Sequence, residues 1–442
     1  MKPNVVFVFD DQHAARDTGY GGNPQVKTPV MDALAARGIN FANAVSGTPL
    51  CTPYRASLIT GQYPQTHGLF INDVCLRDNG SSIAHCFDRA GYDTAYIGKW
   101  HIDGHGRSAY IPPERRQGFG HWQVLECTHN YLASRYYDND DETIKTWDDY
   151  DAFAQTDAAI DYITKRDDDK PFLLMLSWGP PHDPFDKLPE PYKSMYPPES
   201  IVLPPDVPEE NAEVARRHYS GYYGHIAAID DCLAKLLNVI DDNTIFMFTS
   251  DHGTMTWSKG IPQKQVPYDG SVRVPFLMTL PERLGGCART VTLPINTPDI
   301  MPTLLDLCGI GIPETVEGVS FAPLLRGDGS VAAESALIQC MQPIAHWNKT
   351  NRGGVEYRGV RTERYTYVRS IREPWLFFDN QTDPYQMDNL INDPAYETLQ
   401  AELESMLAAH LERLGDKFLT GEEYAAQWGY VLNEHGTVDY TF

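Results

Sequence analysis

Short apolar, β-branched runs recur through the first three quarters of the chain: Val5–Phe9, Thr94–Ile97, Phe172–Ser177, Ile245–Thr249 and Phe276–Leu280. Between them lie segments of helical period. Pro29–Arg37 opens with Thr28 as an N-cap candidate and Pro29 at the first helical position. Gly224–Asn238 carries a stripe of Ile226, Ile229, Leu233, Leu236 and Leu237, and Thr297–Leu307 starts on Thr-Pro. Strand and helix in alternation predict an α/β fold: a large, mostly parallel sheet sandwiched by helices. Pro189–Pro208 reads as a long surface loop, and the turn-rich Gly309–Gly329 closes the α/β body. From about Glu334 the pattern changes. Arg358–Arg369 and Trp375–Asp379 read as antiparallel strands and Tyr396–Leu414 as an amphipathic helix. Two units are therefore expected, an α/β domain over residues 1–333 and a small α+β subdomain over residues 334–442.

Reactive side chains sit just past the strand candidates. Val5–Phe9 runs into Asp10 and Asp11, Thr94–Ile97 is followed by Lys99 and His101, Phe172–Ser177 leads to His182, and Ile245–Thr249 leads to Asp251 and His252. In an open parallel sheet, ligands bind outside the carboxyl ends of the strands, so these groups can meet at one mouth. Asp10, Asp11, Asp251 and His252 together suit a divalent metal. Three carboxylates favour Ca²⁺, while the imidazole leaves Zn²⁺ or Mn²⁺ open. An Asp-Asp pair after a strand is equally an ordinary turn or helix cap.

Composition narrows the setting. The chain has 442 residues with 36 Lys+Arg against 60 Asp+Glu, a formal net charge of −24. Such a surface repels nucleic acid, and any anion site must carry its own local positive potential. No apolar run is long enough to span a bilayer. Val5–Phe9 is too short and too soon followed by Asp10-Asp11 for a signal peptide, which leaves a cytoplasmic protein or one whose leader has been removed. The eight cysteines are scattered without metal-finger spacing and read as reduced core thiols, with Cys51 the exception.

Cys51 opens C-T-P-Y-R-A-S-L-I-T-G, in which Pro53 can begin a helix and Arg55 lies one turn on. A helix N-terminus offers free N–H groups and positive dipole, and Arg55 adds a fork donor for an oxyanion. This segment resembles the C-x-P-x-R signature of sulfatases, whose cysteine is oxidised to formylglycine after translation. N-V-V-F-V-F-D-D at the start, G-K-W-H at 98–101, P-P-H at 180–182, S-D-H-G at 250–253 and R-V-P-F at 273–276 follow in that family's order. The resemblance covers the whole chain and implies an alkaline-phosphatase-like fold.

It also implies roles. Cys51, as formylglycine, would be the nucleophile: one oxygen of the hydrated aldehyde attacks sulfur, the alcohol leaves, and the second hydroxyl lets the carbonyl re-form as sulfate departs. The implied metal ligands are Asp10, Asp11, the modified Cys51, Asp251 and His252. The family often has Asn at the last position, a departure that bears on the metal's identity. Lys99 and Lys264 resemble the sulfate-binding lysines, with Arg55 fixing the formylglycine environment. His101 resembles the base that takes a proton from the hydrate, and His182 resembles the residue that assists the leaving alcohol with Lys264. Lys259, where relatives often have histidine, reads as a solvated surface cation.

The substrate implied is an organic sulfate ester, most of all a sulfated saccharide such as a sulfated galactose unit. A formylglycine-generating enzyme is the implied partner in maturation. Tyr110–Arg116, His121–Asn130 with Trp122 and His129, and Pro343–Lys349 with His346 and Trp347 offer aromatic and cationic groups that fit either a sugar wall or ordinary loop packing. A formylglycine-dependent phosphonate monoester or phosphodiester hydrolase shares nearly the same motifs and is the alternative. A two-metal phosphatase would need a Ser or Thr nucleophile and a second Asp/His cluster. A binding protein without catalysis would result if Cys51 stayed unmodified.

Overall fold

The computed structural model describes residues 2–166 and 170–440. Its main sheet has ten strands in the order Arg289–Val291, Ile39–Phe41, Phe276–Thr279, Thr244–Ser250, Asn4–Asp10, Phe172–Ser177, Asp93–Lys99, His121–Leu125, Arg135–Asp138 and Asp141–Thr146. The central five, from Thr244–Ser250 to His121–Leu125, run parallel. Phe276–Thr279 is antiparallel to its neighbours, and a hairpin closes the other edge. The middle strands are apolar almost throughout because both of their faces are covered. One face packs on the helices Cys51–Thr60, Ile83–Arg89 and Thr297–Leu307, the other on Pro29–Arg37, Asp151–Lys165 and Ala212–Leu237.

The mostly parallel sheet sandwiched by helices agrees with the sequence reading, and Pro29–Arg37 and Thr297–Leu307 have the expected bounds. Two details differ. The helix expected over Gly224–Asn238 begins at Ala212, its first turns being masked in the sequence by tyrosine and arginine. Thr28 does not cap Pro29–Arg37 with its side chain. The carboxylate of Asp230, from the neighbouring long helix, accepts the N–H groups of Val30 and Met31 at 2.9 and 2.8 Å instead.

A second sheet, Ser335–Cys340, Tyr357–Thr362, Tyr365–Ser370 and Pro374–Asp379, is antiparallel throughout and packs on the helix Glu397–Leu414. What reads in sequence as one strand over Arg358–Arg369 is a hairpin, turning at Glu363 and Arg364. This sheet is tied to the body by buried polar contacts. Arg361 forks onto Asp269 at 3.0 and 3.1 Å, and the Gln339 amide donates to the carbonyl of Gly47 at 2.7 Å. Beyond it the chain returns to the body: Tyr430 donates to the carbonyl of Gly68 at 3.1 Å, and the Tyr440 ring lies under the Arg107 guanidinium at 3.8 Å.

Candidate active site

The parallel strands bring their carboxyl ends together, and the residues just past them meet around Cys51. Gly98, at the end of one strand, has a φ of +105°, and a Cβ there would lie 2.0 Å from the carbonyl oxygen of Ser177 on the next strand. Only glycine permits that approach, and it sets Lys99 against the neighbouring strand end.

Cys51 is the first residue of the helix Cys51–Thr60, which is buried along its whole length. Its Sγ marks where the reacting oxygen of a formylglycine would stand. Around it lie His252 Nε2 at 3.3 Å, Lys264 Nζ at 3.6 Å, Lys99 Nζ at 3.7 Å and both carboxylate oxygens of Asp11 at 3.9 Å. Burial and Asp11 oppose ionisation of the thiol, but Lys264, Lys99 and His252 outweigh them and hold it well below the ordinary thiol range. An atom here sits in the local positive potential that the acidic chain requires.

Arg55, one turn along, is 1% exposed. Its guanidinium donates to the Lys99 carbonyl and Ser177 Oγ, both at 2.7 Å, and to Asp251 Oδ2 and Asp11 Oδ2 at 3.0 and 3.4 Å. It thus ties three strand ends to the nucleophile's helix. Lys99 Nζ reaches Asp11 Oδ2 at 2.5 Å. Burial works against the Lys99 charge, but Asp11 more than compensates and keeps it an ammonium.

Asp11, Cys51, Asp251 and His252 place ligand atoms within 4.8 Å of one another. Three observations fit this group to a divalent cation. His252 Nδ1 donates to the Gly253 carbonyl at 3.0 Å, so the lone pair is on Nε2, which faces Asp251 Oδ1 and Asp11 Oδ1 at 3.4 and 3.5 Å. Burial, with Asp11 beside it, pushes Asp251 up to about 6, a penalty that a cation between them would relieve. Asp10 lies outside the four: its Oδ2 takes the Nδ1–H of His13 at 2.8 Å, while its Oδ1 is buried without a hydrogen-bond partner. That orphaned oxygen is an unused acceptor on the residue next to Asp11, with lone pairs a cation could take.

On the other side of Cys51, His182 Nδ1 donates to the carbonyl of Asp183 at 2.7 Å and Nε2 accepts from Lys264 Nζ at 2.8 Å. Burial and then Lys264 hold this imidazole down to about 4, so it stays neutral. Lys264 also donates to Gln12 Oε1 at 3.2 Å. His101 is buried, with a φ of +61°, and its carbonyl accepts from Thr52 Oγ1 at 2.7 Å.

All ten site residues of the sequence reading thus fall at or beside this one mouth. Others were not foreseen. His13 orients Asp10, Gln12 donates its N–H to Asp251 at 3.1 Å, and Asp183 accepts from Gln12 and Gln263 at 3.2 and 2.7 Å. Gln12 and His13 directly follow Asp10-Asp11, which was the only local signal for them. Among the sugar-wall candidates, His129 stacks on His182 at 4.6 Å. Trp122 is fully buried against Tyr96 and Trp100, and Arg116 is spent on Tyr110, Ile111, Asn139 and Asp140. Those two are packing residues, since His121–Leu125 is a strand of the main sheet. Ile344, in the second candidate wall, donates its N–H to Gln265 at 3.1 Å, next to Lys264. Lys259 is no solvated cation: it is half-buried, donates to the Gln386 carbonyl at 2.8 Å and lies 5.0 Å from the centre of the Tyr268 ring.

Comparison with known proteins gives the family. Residues 3–310 match the family described as Sulfatase, and residues 258–413 match N-sulphoglucosamine sulphohydrolase, C-terminal. The chain belongs to the sulfatase family and is a sulfuric ester hydrolase. It is 45% identical to an ulvan-active sulfatase of Formosa agariphila over 98% of this chain and 86% of that protein. It is 30% identical to an endo-4-O-sulfatase of Bacteroides thetaiotaomicron over 95% of this chain and 93% of that one. A solved sulfatase structure, described under the metabolism of glycosaminoglycans by Bacteroides thetaiotaomicron, superposes with a TM-score of 0.85 at 28% identity, covering 97% of this chain and 99% of that one. The family implies a formylglycine-type cysteine and a divalent metal.

Proposed function

We propose that this sulfatase removes sulfate from a sulfated saccharide, with Cys51 converted to formylglycine by a formylglycine-generating enzyme and Ca²⁺ held by Asp10, Asp11, the modified Cys51, Asp251 and His252. The observation that carries this is the surround of Cys51 Sγ, with Lys264 at 3.6 Å and Lys99 at 3.7 Å on one atom at a helix N-terminus. The saccharide reading is supported by the relatives, one ulvan-active and one an endo-4-O-sulfatase. The oxygen-rich ligand set favours Ca²⁺, and elemental analysis of purified protein distinguishes it from Zn²⁺ or Mn²⁺.

Formylglycine supplies a hydrated aldehyde, one hydroxyl to attack sulfur and one from which the carbonyl re-forms; the cation would neutralise sulfate oxygens and acidify that hydrate. The chain's own residues do the rest. Lys99 and Lys264 grip the sulfate oxygens, where charge is spread in the transition state. Arg55 locks the nucleophile's helix to the strand ends. His101 takes the proton of the remaining hydroxyl. His182 and Lys264, with Nε2 and Nζ 2.8 Å apart, share one proton, which passes to the departing alcohol.

This leaving-group role has a distinct signature. His182→Ala is expected to slow turnover of a sugar sulfate by about 10²–10³-fold, the range for losing a general acid. An activated nitrophenyl sulfate, whose phenolate departs without help, should lose less than about 10-fold. Equal losses on both would deny His182 that role.

The reading as a whole is tested on protein from a host able to make formylglycine. Mass spectrometry of the peptide containing Cys51 should show a loss of about 18 Da from the thiol form. Rates on matched aryl sulfate and aryl phosphonate esters should then favour sulfate. An unmodified thiol would remove the nucleophile, and a preference for the phosphonate would favour the phosphonate monoester or phosphodiester hydrolase over the sulfatase reading.

A further inference from the structure

His101 is held in a way that the sequence motif does not account for. Its ring is buried, and Nε2 lies 3.4 Å from Asp73 Oδ1. Asp73 is itself gripped by Arg107, whose Nε and Nη2 donate to Oδ1 and Oδ2, each at 2.8 Å. The other ring nitrogen, His101 Nδ1, is buried with no hydrogen bond to nitrogen or oxygen, and the buried Cys127 thiol lies against this ring. An imidazole whose Nε2–H is taken by a carboxylate carries its lone pair on Nδ1. Nδ1, which no carboxylate holds, is therefore the nitrogen able to accept a proton.

The segment holding Asp73 is coupled to the nucleophile. Its neighbour Asn72 accepts the N–H of Thr52 at 3.1 Å, one of the unpaired donors in the first turn of the Cys51 helix. Thr52 in turn donates through Oγ1 to the carbonyl of His101 at 2.7 Å. Asn72, Thr52, His101 and Asp73 thus close a ring that fixes the base relative to the nucleophile. Asp73 and His101 both adopt left-handed backbone conformations, with φ of +64° and +61°. Such conformations are uncommon for residues other than glycine and persist where surrounding contacts enforce them.

We infer that Asp73, clamped by Arg107, is the positioning residue for His101, selecting the tautomer with the lone pair on Nδ1 and fixing the ring for the proton it removes. This rests on the base role proposed for His101. The effect of Asp73 passes through the imidazole, as a carboxylate behind a catalytic histidine does in general.

The test is a double-mutant cycle of Asp73→Asn and His101→Ala, with every rate normalised to the formylglycine content measured by mass spectrometry. Asparagine keeps the shape at position 73 but loses the charge that Arg107 and the imidazole share. Asp73→Asn is expected to lower kcat by about 10–100-fold, with KM for a nitrophenyl sulfate changed less than about 3-fold. In the His101→Ala background the same substitution should add no further loss, because its route of action is gone. Arg107→Gln is a second probe that leaves Asp73 in place, and it should give a smaller fall in kcat that also vanishes in that background. Additive losses would overturn the inference and make Asp73 a merely structural residue, as would an Asp73→Asn variant of normal kcat beside an impaired His101→Ala. A fully active His101→Ala would instead remove the base assignment on which the inference stands.

Discussion

Cys51→Ser should leave a folded protein whose steady-state turnover of an aryl sulfate falls by on the order of 10⁴-fold or more, the scale of losing a covalent nucleophile. The substitution is conservative for the fold. The side chain is small, and the helix Cys51–Thr60 is held by the packing of its ten buried residues and by Arg55 rather than by the thiol. The chemistry is not conserved. A serine hydroxyl between Lys99 and Lys264 can still displace the alcohol, but it has no second hydroxyl from which a carbonyl can re-form. Phenol release should therefore stop at about one equivalent per site or fall below detection. Circular dichroism and the melting temperature should match the wild type. Near-normal turnover would dispose of the formylglycine nucleophile.

The second large effect is expected at Asp251. Asp251→Asn keeps the side chain's shape but removes a charge that faces His252 Nε2 at 3.4 Å and Arg55 at 3.0 Å. Activity should drop by on the order of 10³-fold, comparable to removing a main electrostatic contributor. The bound metal, measured by elemental analysis, should fall with it, and excess divalent cation should restore part of both. Chelation of the wild-type protein should reproduce the loss reversibly. Full activity after verified metal removal would defeat the metal assignment.

The parts of this site that were legible in sequence share a cause. Asp10, Asp11, Lys99, His101, His182, Asp251 and His252 each end a buried strand or follow one within a few residues, so the sheet's own rule gathers them. Arg55 is one helical turn from Cys51. Lys264 and the roles of the two histidines needed the family motif, because a lone Lys or His carries no periodic signal. Asp73, Arg107 and Asp183 were not legible. Each lies in an irregular segment, and its partner is fixed only when separate loops converge: Arg107 is 34 residues from Asp73, and Gln12 is 171 from Asp183. Trp122 was left open between a sugar wall and loop packing because the strand around it, His121–Leu125, is only five residues long and lies among polar, turn-rich segments. The C-terminal hairpin was run together because its turn at Glu363 and Arg364 contains neither glycine nor proline.

The burial of Cys51 also sets an order of events in the life of the chain. In the folded protein this residue is 2% exposed, at the head of a helix with no exposed face. An enzyme that must grasp the peptide around Cys51 has no access once that helix has packed against the sheet. On the proposed maturation, conversion of the thiol would therefore compete with folding, and molecules that fold first would stay thiols with every other part of the site assembled. Specific activity of a preparation is then a record of that race. Slowing the packing of Cys51–Thr60, or supplying more of the converting enzyme during synthesis, should raise it without changing a single contact of the final structure.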